Sequence, residues 1–304
     1  MERDVFTGRT VLVTGGAGFI GGHIADRLAS VADVRVLDDL STGDPARIPT
    51  EATLIEGDIR DVATLRRAMT GVDIVFHEAG MVSVPVSVER PRECHATNGT
   101  ATLDLLAAAR RTDARIVFAS SAAIYGQPDD VPVSEAAPKR PNSPYGIEKL
   151  AGDQYVRLYA ERYGLPAVAL RYFNVYGPGQ GHNQYAGVIS TFLERARSGD
   201  PITVEGDGDQ TRDFVHVDDV VRANLLAATS DASGAFNVGT GASTSINELA
   251  RAVRDATGTE VPITHTDPRP NDIRHSRADI ARISERLGFE PRVTLREGIA
   301  TLAE

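Results

Sequence analysis

A glycine-rich segment near the N-terminus constrains the fold more than any other part of the chain. Residues 14–21, Thr-Gly-Gly-Ala-Gly-Phe-Ile-Gly, follow the β-branched run 10–13. Gly15, Gly18 and Gly21 have no Cβ atom, so the chain can turn tightly and its backbone can approach a pyrophosphate. The unpaired N–H groups at the start of the next helix favour negative charge at the same place. The segment therefore predicts a strand, a phosphate-binding turn and a helix in succession.

An acidic residue follows this loop at the spacing of a dinucleotide site. Asp38 comes 20 residues after Gly18, at the end of the predicted strand 34–37. A carboxylate there accepts hydrogen bonds from the adenosine ribose and repels a 2′-phosphate, so NAD is favoured over NADP. The adjacent Asp39 either contacts the same ligand or caps the turn before Ser41-Thr42-Gly43.

Strand-like and helix-like patterns alternate through the first half of the chain. Several apolar runs lack a polar face, as expected of strands buried on both sides in a parallel sheet. The alternation predicts an α/β fold with a Rossmann-type doubly wound parallel sheet. The predicted strands are 10–13, 34–37, 73–76, 115–118 and 167–170, and the predicted helices are 19–29, 61–70, 98–111 and 145–163.

The pattern changes near residue 175, where a Gly-Pro-Gly-Gln-Gly run at 177–181 indicates a loop. We expect residues 1–175 to form an NAD-binding domain and residues 176–304 a smaller C-terminal α/β substrate-binding cap. A helix is predicted near 186–198. The segment 213–240 has the pattern of a helix and a strand, which we expect to rejoin the first sheet.

The composition excludes several classes of protein. The 304 residues carry a net charge of −10, which argues against nucleic acid as a partner. The single cysteine, Cys94, excludes an internal disulfide and a cysteine-built metal site, and no metal is expected. No apolar run approaches the roughly 18 residues of a membrane-spanning helix, and the N-terminus lacks the apolar core of a signal peptide. A cytoplasmic protein without membrane contact is therefore expected.

Tyr145 and Lys149 form a second chemical pattern. Ser143 and Pro144 predict a helix start, so the tyrosine and the lysine lie one turn apart on one face. The chain has 30 arginines and only two lysines, which indicates that lysine at 149 serves a purpose arginine would not. A nearby ammonium favours the ionised phenol, whose ordinary pKa near 10 is too high for a base at neutral pH. The pair predicts a tyrosine that acts as a general base.

With several further segments, these patterns resemble the extended short-chain dehydrogenase/reductase family, in its NAD-dependent epimerase/dehydratase group. The resemblance extends over essentially the whole chain. Within the group, the sequence is most similar to nucleotide-sugar epimerases of the UDP-galactose (UDP-glucose) 4-epimerase type. Besides the glycine loop, Tyr145 and Lys149, the resemblance rests on Gly57-Asp58-Ile59, His77-Glu78-Ala79-Gly80, Ser120-Ser121-Ala122-Ala123-Ile124-Tyr125-Gly126, 171–178 and 206–219.

The resemblance implies three sets of site residues. The catalytic set is Ser121, Tyr145 and Lys149. The NAD-binding set is Gly15, Gly18, Phe19, Ile20, Gly21, Asp38, Asp39, Leu40, Ser41, Thr42, Gly43, Asp58, Ile59, Ala79, Gly80, Asn98, Tyr145, Lys149 and Phe173. The substrate-binding set is Ser121, Asn174, Val188, Thr203, Arg212, Arg269, Asp272 and Ser276. The two arginines would meet the diphosphate and Asp272 the nucleotide ribose, whereas the alternative for Arg212 is a salt bridge to Asp213.

The implied reaction is epimerisation at C4 of a UDP-sugar, through a transient 4-keto sugar and with tightly retained NAD. UDP-glucose and UDP-galactose are the expected substrates, and a homodimer packed through the helices 98–111 and 145–163 is implied. The small Ser276 would admit N-acetylated sugars, unless it is an exposed loop residue.

Three alternatives remain open at this point: a UDP-glucuronate 4-epimerase, another nucleotide-sugar dehydratase or oxidoreductase, and a non-catalytic NAD-binding protein. Ala122 and Ala123 stand where related dehydratases and decarboxylases carry acidic residues, which disfavours a lyase. The intact set of Ser121, Tyr145 and Lys149 disfavours a non-catalytic protein.

Overall fold

A parallel sheet forms the centre of the larger part of the molecule. The computed structural model describes residues 5–181, 187–269 and 272–303, and within these ranges the sheet has seven strands. They are β1 (Thr10–Thr14), β2 (Asp33–Asp38), β3 (Thr53–Glu56), β4 (Ile74–His77), β5 (Arg115–Ser121), β6 (Ala167–Tyr172) and β11 (Gly234–Val238). The spatial order is β11-β6-β5-β4-β1-β2-β3, and each neighbouring pair is parallel. The predicted Rossmann-type doubly wound sheet is confirmed.

Helices cover both faces of this sheet. On one face, Ile24, Leu28 and Val220 pack with Val11 and Val13 of β1. On the other face, the intervening Leu12 packs with residues of three further helices. Successive strand residues point to opposite faces, so both sets are buried and β1 is apolar throughout. The helices associated with the sheet are α1 (Phe19–Ala29), α2 (Val62–Ala68), α3 (Val84–Glu89), α4 (Pro91–Cys94), α5 (Ala101–Thr112), α6 (Pro144–Tyr163) and α8 (Val217–Thr229).

The smaller part of the molecule has its own apolar core. Phe192, Leu249 and Ile299 pack together there, on three different helices. By contrast, Ile283 and Phe289 pack in the core beneath the large sheet. The elements of this part of the chain are β7 (Asn174–Tyr176), α7 (Val188–Ser198), β8 (Ile202–Glu205), β9 (Thr211–Arg212), β10 (Phe214–His216), β12 (Thr244–Ser245), α9 (Ile246–Thr257), β13 (Ile263–Thr266), α10 (Ala281–Leu287) and α11 (Leu295–Ala303).

Within the described ranges, no helix has the length and apolar character needed to cross a membrane. Nor do His, Cys, Asp and Glu side chains in these ranges form a group of three or more that could hold a metal ion.

Candidate active site

The glycine loop joins the end of β1 to the start of α1. Gly15 has φ +71°, a conformation that favours glycine, and a Cβ added there would lie 2.7 Å from the Ala79 nitrogen. A Cβ on Gly21 would overlap the Gly15 carbonyl oxygen. Gly18 caps α1, which then begins with Phe19 and Ile20, and no side chain bonds the N-terminal N–H groups from this cap. The glycines thus form a cradle that a dinucleotide pyrophosphate fits and that larger residues would fill.

Asp38 connects this loop to the segment that follows β2. Its carboxylate accepts hydrogen bonds from the backbone N–H groups of Ala17 and Leu40, both at 2.9 Å. Asp39 instead accepts the backbone N–H of Ser41 at 3.0 Å and its hydroxyl at 2.6 Å. Asp39 therefore caps the turn leading to Thr42 and Gly43, whereas Asp38 lies against the glycine loop itself.

Asp58 and Ile59 follow β3 at the outer part of the same edge. The Arg60 guanidinium donates a hydrogen bond to the Asp58 carboxylate, with an Nε–Oδ2 distance of 2.8 Å. The hydrogen bond from Arg60 holds the pKa of the Asp58 carboxyl below its usual value. Ile59 is buried among the apolar residues of the sheet.

Asn98 and His77 fix the segment that follows β4. Asn98 lies in a π-helical turn, His95–Thr100, and both its amide groups bind the backbone of Met81, at 2.7 and 2.9 Å. His77 bridges the hydroxyls of Thr14 and Thr102, and burial lowers its pKa to about 3, so its ring is neutral. The backbone of Ala79 and Gly80 is therefore held in one position beside the glycine loop.

The start of α6 brings Tyr145 and Lys149 to the end of β5. Ser143 caps the helix by accepting the N–H of Gly146 at 3.1 Å, and Pro144 occupies the first helical position. Lys149 donates from Nζ to the Ala119 carbonyl oxygen at 2.7 Å and lies 5.9 Å from the centre of the Tyr145 ring.

Ser121, at the end of β5, lies near the Tyr145 phenol and lowers its pKa. A Cβ on Gly80 would lie 3.7 Å from the Lys149 ammonium. The three catalytic candidates thus meet next to the candidate cofactor segment.

The ionisation of this group differs from the sequence-based expectation. We expected the ammonium to lower the pKa of the phenol, but burial raises the pKa of Tyr145, and the opposing effect of Ser121 is smaller. Burial also lowers the pKa of Lys149 to about 8, against the opposing charge of Glu78. Because burial outweighs the effects that lower the pKa of Tyr145, further positive charge is needed beside this residue to make it a base.

A buried network of hydrogen bonds lies next to the catalytic residues and holds the segments that carry them. Arg171 binds Asp153 with both Nε and Nη2, and Asp153 also accepts the Ser120 hydroxyl at 3.2 Å. The remaining nitrogen of Arg171, Nη1, donates to the hydroxyl of Tyr125 at 2.9 Å. Ser120 precedes Ser121, and Asp153 follows Lys149 by one helical turn. The sequence analysis missed Asp153, although its position four residues after Lys149 was a usable signal.

A second residue missed by the sequence analysis is Glu78. Its Oε1 accepts the Tyr172 hydroxyl at 2.8 Å, and Tyr172 is in turn bound by Asn224. Burial raises the pKa of Glu78 to about 7. A carboxylate directly after the apolar strand β4 was the available signal.

Phe173 and Asn174 continue the chain from β6 towards the smaller part. Phe173 is buried, and its ring centre lies 6.5 Å from that of Tyr125. Asn174 donates its side-chain amide to the carbonyl oxygen of Asp213 at 3.2 Å. Asp213 is itself fully buried and accepts several backbone N–H groups, including that of Thr240.

The substrate candidates lie mainly on the smaller part. Arg212 binds Asp272 at 2.6 Å, not Asp213, so the alternative ion pair considered from the sequence does not form. Arg269 pairs with Glu205 at 2.8 Å. The predicted residues Arg269 and Asp272 line one cavity of about 330 Å³ together with Glu205, which was not predicted.

The remaining three substrate candidates lie in different settings. Ser276 is buried beside β9, where its N–H donates to the Thr211 carbonyl oxygen at 3.1 Å, so it is not an exposed loop residue. Thr203 accepts a hydrogen bond from Arg195 at 2.6 Å, and Val188 is the first residue of α7.

The fold and this site define an NAD-dependent protein of the short-chain dehydrogenase/reductase type. The chain belongs to the NAD dependent epimerase/dehydratase family, whose profile matches residues 11–239.

Similar proteins carry more specific names. A putative UDP-glucose 4-epimerase of Methanocaldococcus jannaschii is 41% identical over 293 residues, which cover 95% of each protein. The solved structure of UDP-glucose 4-epimerase from Thermus thermophilus, in complex with NAD, is 40% identical with a TM-score of 0.90 and covers 97% of each chain. A UDP-N-acetylglucosamine 4-epimerase from Methanobrevibacter ruminantium M1, in complex with UDP-N-acetylmuramic acid, is 36% identical with a TM-score of 0.94, covering 98% of this chain and 97% of that one.

Proposed function

We propose that this protein is an NAD-dependent nucleotide-sugar 4-epimerase that interconverts UDP-glucose and UDP-galactose. The observation that carries the proposal is the meeting of Ser121, Tyr145 and Lys149 beside Gly80, at the carboxyl edge of the sheet. The similarity to proteins named UDP-glucose 4-epimerase, over almost the whole chain, supports the choice of reaction.

The cofactor would lie along the edge formed by the glycine loop, Asp38 and the backbone of Ala79 and Gly80. Asp38 would accept hydrogen bonds from the adenosine ribose, and Asp58 and Ile59 would flank the adenine. Near the other end, Lys149, Asn98 and Phe173 would line the nicotinamide part of the site. NAD, when bound, supplies the acceptor for a hydride from C4 of the sugar and the donor that returns it.

Tyr145 would take the proton of the sugar 4-hydroxyl while Ser121 holds that hydroxyl in place. Without cofactor the phenol is protonated at neutral pH because burial raises its pKa. The positive charge of oxidised NAD beside Tyr145 would favour the phenolate, which is the form that accepts the proton. Lys149 is protonated at neutral pH too, so it contributes one of the positive charges that favour the phenolate. Tyr145 would return the proton when the hydride returns to C4.

Arg212 and Arg269 would hold the diphosphate, since a guanidinium gives two charge-assisted hydrogen bonds to phosphate oxygens. Without substrate, each arginine forms an ion pair with a carboxylate. When the substrate binds, a phosphate would replace that carboxylate, or the ion pair would change its geometry. A fixed diphosphate keeps the 4-keto sugar in the cleft while the sugar rotates to present its other face. Asp272 would meet the ribose, and Asn174, Val188, Thr203 and Ser276 would complete the substrate site.

A homodimer formed through α5 and α6 is part of the proposal. Ile147, Tyr155 and Leu158 lie on one side of α6, and each is at least 40% exposed. A second copy of the chain would cover these apolar side chains. Sedimentation of the wild type and of Leu158→Arg tests this proposal. We expect the wild type to be a dimer and the variant a monomer, and a monomeric wild type would contradict the proposal.

A cytoplasmic location, where nucleotide sugars are made, is proposed as well.

The decisive experiment is to incubate the purified protein with UDP-glucose, UDP-galactose, their N-acetylated forms and UDP-glucuronate, without added cofactor, and to separate the products. We expect conversion between UDP-glucose and UDP-galactose, and none by Tyr145→Phe. Conversion of UDP-glucuronate alone would favour a UDP-glucuronate 4-epimerase. Accumulation of reduced cofactor with free NAD would indicate a dehydrogenase, and bound NAD without any conversion would indicate a non-catalytic protein.

A further inference from the structure

Glu78 is a carboxylate at the cofactor edge that the proposed reaction does not use. It follows β4 directly and precedes the backbone of Ala79 and Gly80, which would line the cofactor. Its Oε1 accepts the Tyr172 hydroxyl at 2.8 Å. Tyr172 is held by Asn224, whose amide donates to it at 2.8 Å and also to the Val220 carbonyl oxygen. The carboxylate is therefore oriented by a buried chain of hydrogen bonds that reaches α8.

The charged and titratable groups around Glu78 come from two other elements. Lys149 and Tyr145 on α6 interact with it electrostatically, and Tyr172 on β6 donates a hydrogen bond to it. The charge of Lys149 lowers the pKa of Glu78, and the charge of Glu78 raises the pKa of both Lys149 and Tyr145. Glu78 thus acts electrostatically on the same residues that would surround the nicotinamide.

We propose that the ionised carboxylate of Glu78 favours the oxidised, positively charged nicotinamide over the reduced, neutral ring through its negative charge. This rests on the proposed function, because it requires a nicotinamide beside Lys149 and Tyr145. An epimerase starts each cycle from oxidised cofactor, so a fixed negative charge beside the ring keeps the resting enzyme ready to accept hydride. At close range in a protein, one such charge changes this equilibrium by about tenfold or more.

Two variants separate the charge of Glu78 from its structural role. Glu78→Gln keeps an oxygen that accepts the Tyr172 hydroxyl but removes the charge. Tyr172→Phe removes that hydrogen bond, which raises the pKa of the Glu78 carboxyl, but the carboxyl still ionises at a sufficiently high pH. Glu148→Gln is a matched control, because Glu148 lies next to Lys149 in the sequence but binds His95 instead.

The measurement is the reduction potential of the cofactor bound to each purified holoenzyme, equilibrated with reference redox dyes. At pH 9, where Glu78 is ionised in the wild type and in Tyr172→Phe, we expect Glu78→Gln to favour the reduced form by about tenfold, a rise of about 30 mV for a two-electron couple. Tyr172→Phe and Glu148→Gln should stay close to wild type. An unchanged potential in Glu78→Gln, or an equal change in Tyr172→Phe, would overturn the proposal.

The wild type alone supplies a second measurement. Burial raises the pKa of Glu78 to about 7, so reduction of the ring should draw a proton to this carboxylate near that pH. The potential should then fall with pH more steeply around pH 7 than one proton per two electrons requires, and a constant slope would contradict the proposal. If the protein holds no dinucleotide or does not epimerise, the proposed function fails instead, so the two failures are distinguishable.

Discussion

Arg171 donates two parallel hydrogen bonds to Asp153, from Nε to Oδ2 at 2.8 Å and from Nη2 to Oδ1 at 2.9 Å. Both side chains are almost completely buried. Burial alone would raise the pKa of Asp153, but the hydrogen bonds and charge of Arg171 outweigh it and hold the pKa below its usual value. The pair joins β6 to α6, one turn after Lys149. It therefore fixes the catalytic lysine relative to the carboxyl edge of the sheet.

The first prediction concerns the stability that depends on this pair. Asp153→Ala leaves Arg171 buried without its counter-ion, which should reduce the free energy of unfolding by about 3–5 kcal/mol. The matched control is Asp129→Ala, since Asp129 pairs with Arg140 where both side chains are about 60% exposed. That change should cost about 0–1 kcal/mol. Urea denaturation of both variants checks the difference, and equal losses would contradict the assigned role of the buried pair.

The second prediction concerns the base. Tyr145→Phe keeps the ring but removes the phenol, so NAD should remain bound while turnover falls by about 10²–10⁴-fold. The control is Tyr155→Phe, on the exposed side of the same helix. Steady-state rates and the amount of NAD that copurifies measure the two effects. Near-normal turnover in Tyr145→Phe would mean that another group removes the proton.

The third prediction concerns the alkaline limit of activity. Burial lowers the pKa of Lys149 to about 8, so its positive charge is present below that pH and is lost as the pH rises through it. Loss of the charge disfavours the phenolate of Tyr145, so kcat/KM should decline above about pH 8. Lys149→Arg keeps its charge over this range and should lose the decline, although its overall rate will be lower. The same decline in both proteins would assign it to a different group.

The fourth prediction concerns the choice of cofactor. Protein stripped of its dinucleotide should bind NAD far more tightly than NADP, because Asp38 repels a 2′-phosphate. Asp38→Asn should reduce this preference, whereas Asp39→Asn should leave it nearly unchanged, since Asp39 caps the Ser41 turn. Titration calorimetry with both cofactors checks the comparison. Equal affinity of the wild type for the two would contradict the carboxylate argument.

Local sequence patterns were sufficient to predict the fold class, but not every strand boundary. The apolar runs of the inner strands indicated a parallel sheet because each run is buried on both faces. The edge strand β3 was missed because most of its side chains are exposed, so it has no apolar pattern. The strand predicted at 115–118 continues to Ser121, because Ser120 and Ser121 pair with Arg171 and Tyr172 of β6.

Contacts between distant segments could not be predicted in the same way. Glu78 and Tyr172 are 94 residues apart in the sequence, and neither residue alone indicates their hydrogen bond. Ile283 and Phe289 pack beneath the large sheet although they lie far along the chain. The position of Ser276 also depended on the structure, because the sequence left open whether the residue was buried or exposed.

The last prediction concerns substrate breadth. Ser276 is buried beside β9, with its N–H fixed to the Thr211 carbonyl oxygen. If it lies beside the sugar 2-substituent, its small side chain leaves space for an N-acetyl group as well as for a hydroxyl. The wild type should then epimerise UDP-N-acetylglucosamine in addition to UDP-glucose, because a small unfilled space weakens binding of the smaller sugar only modestly.

A single substitution tests this role of Ser276. Ser276→Tyr should fill the space and remove the activity on UDP-N-acetylglucosamine while retaining most of the activity on UDP-glucose. Ser276→Ala is the control, since it removes the hydroxyl without adding volume and should leave both activities similar to wild type. The ratio of kcat/KM for the two substrates is the quantity to compare. A wild type that never converts the N-acetylated sugar, or a tyrosine variant that loses both activities equally, would mean that Ser276 does not control access of the 2-substituent.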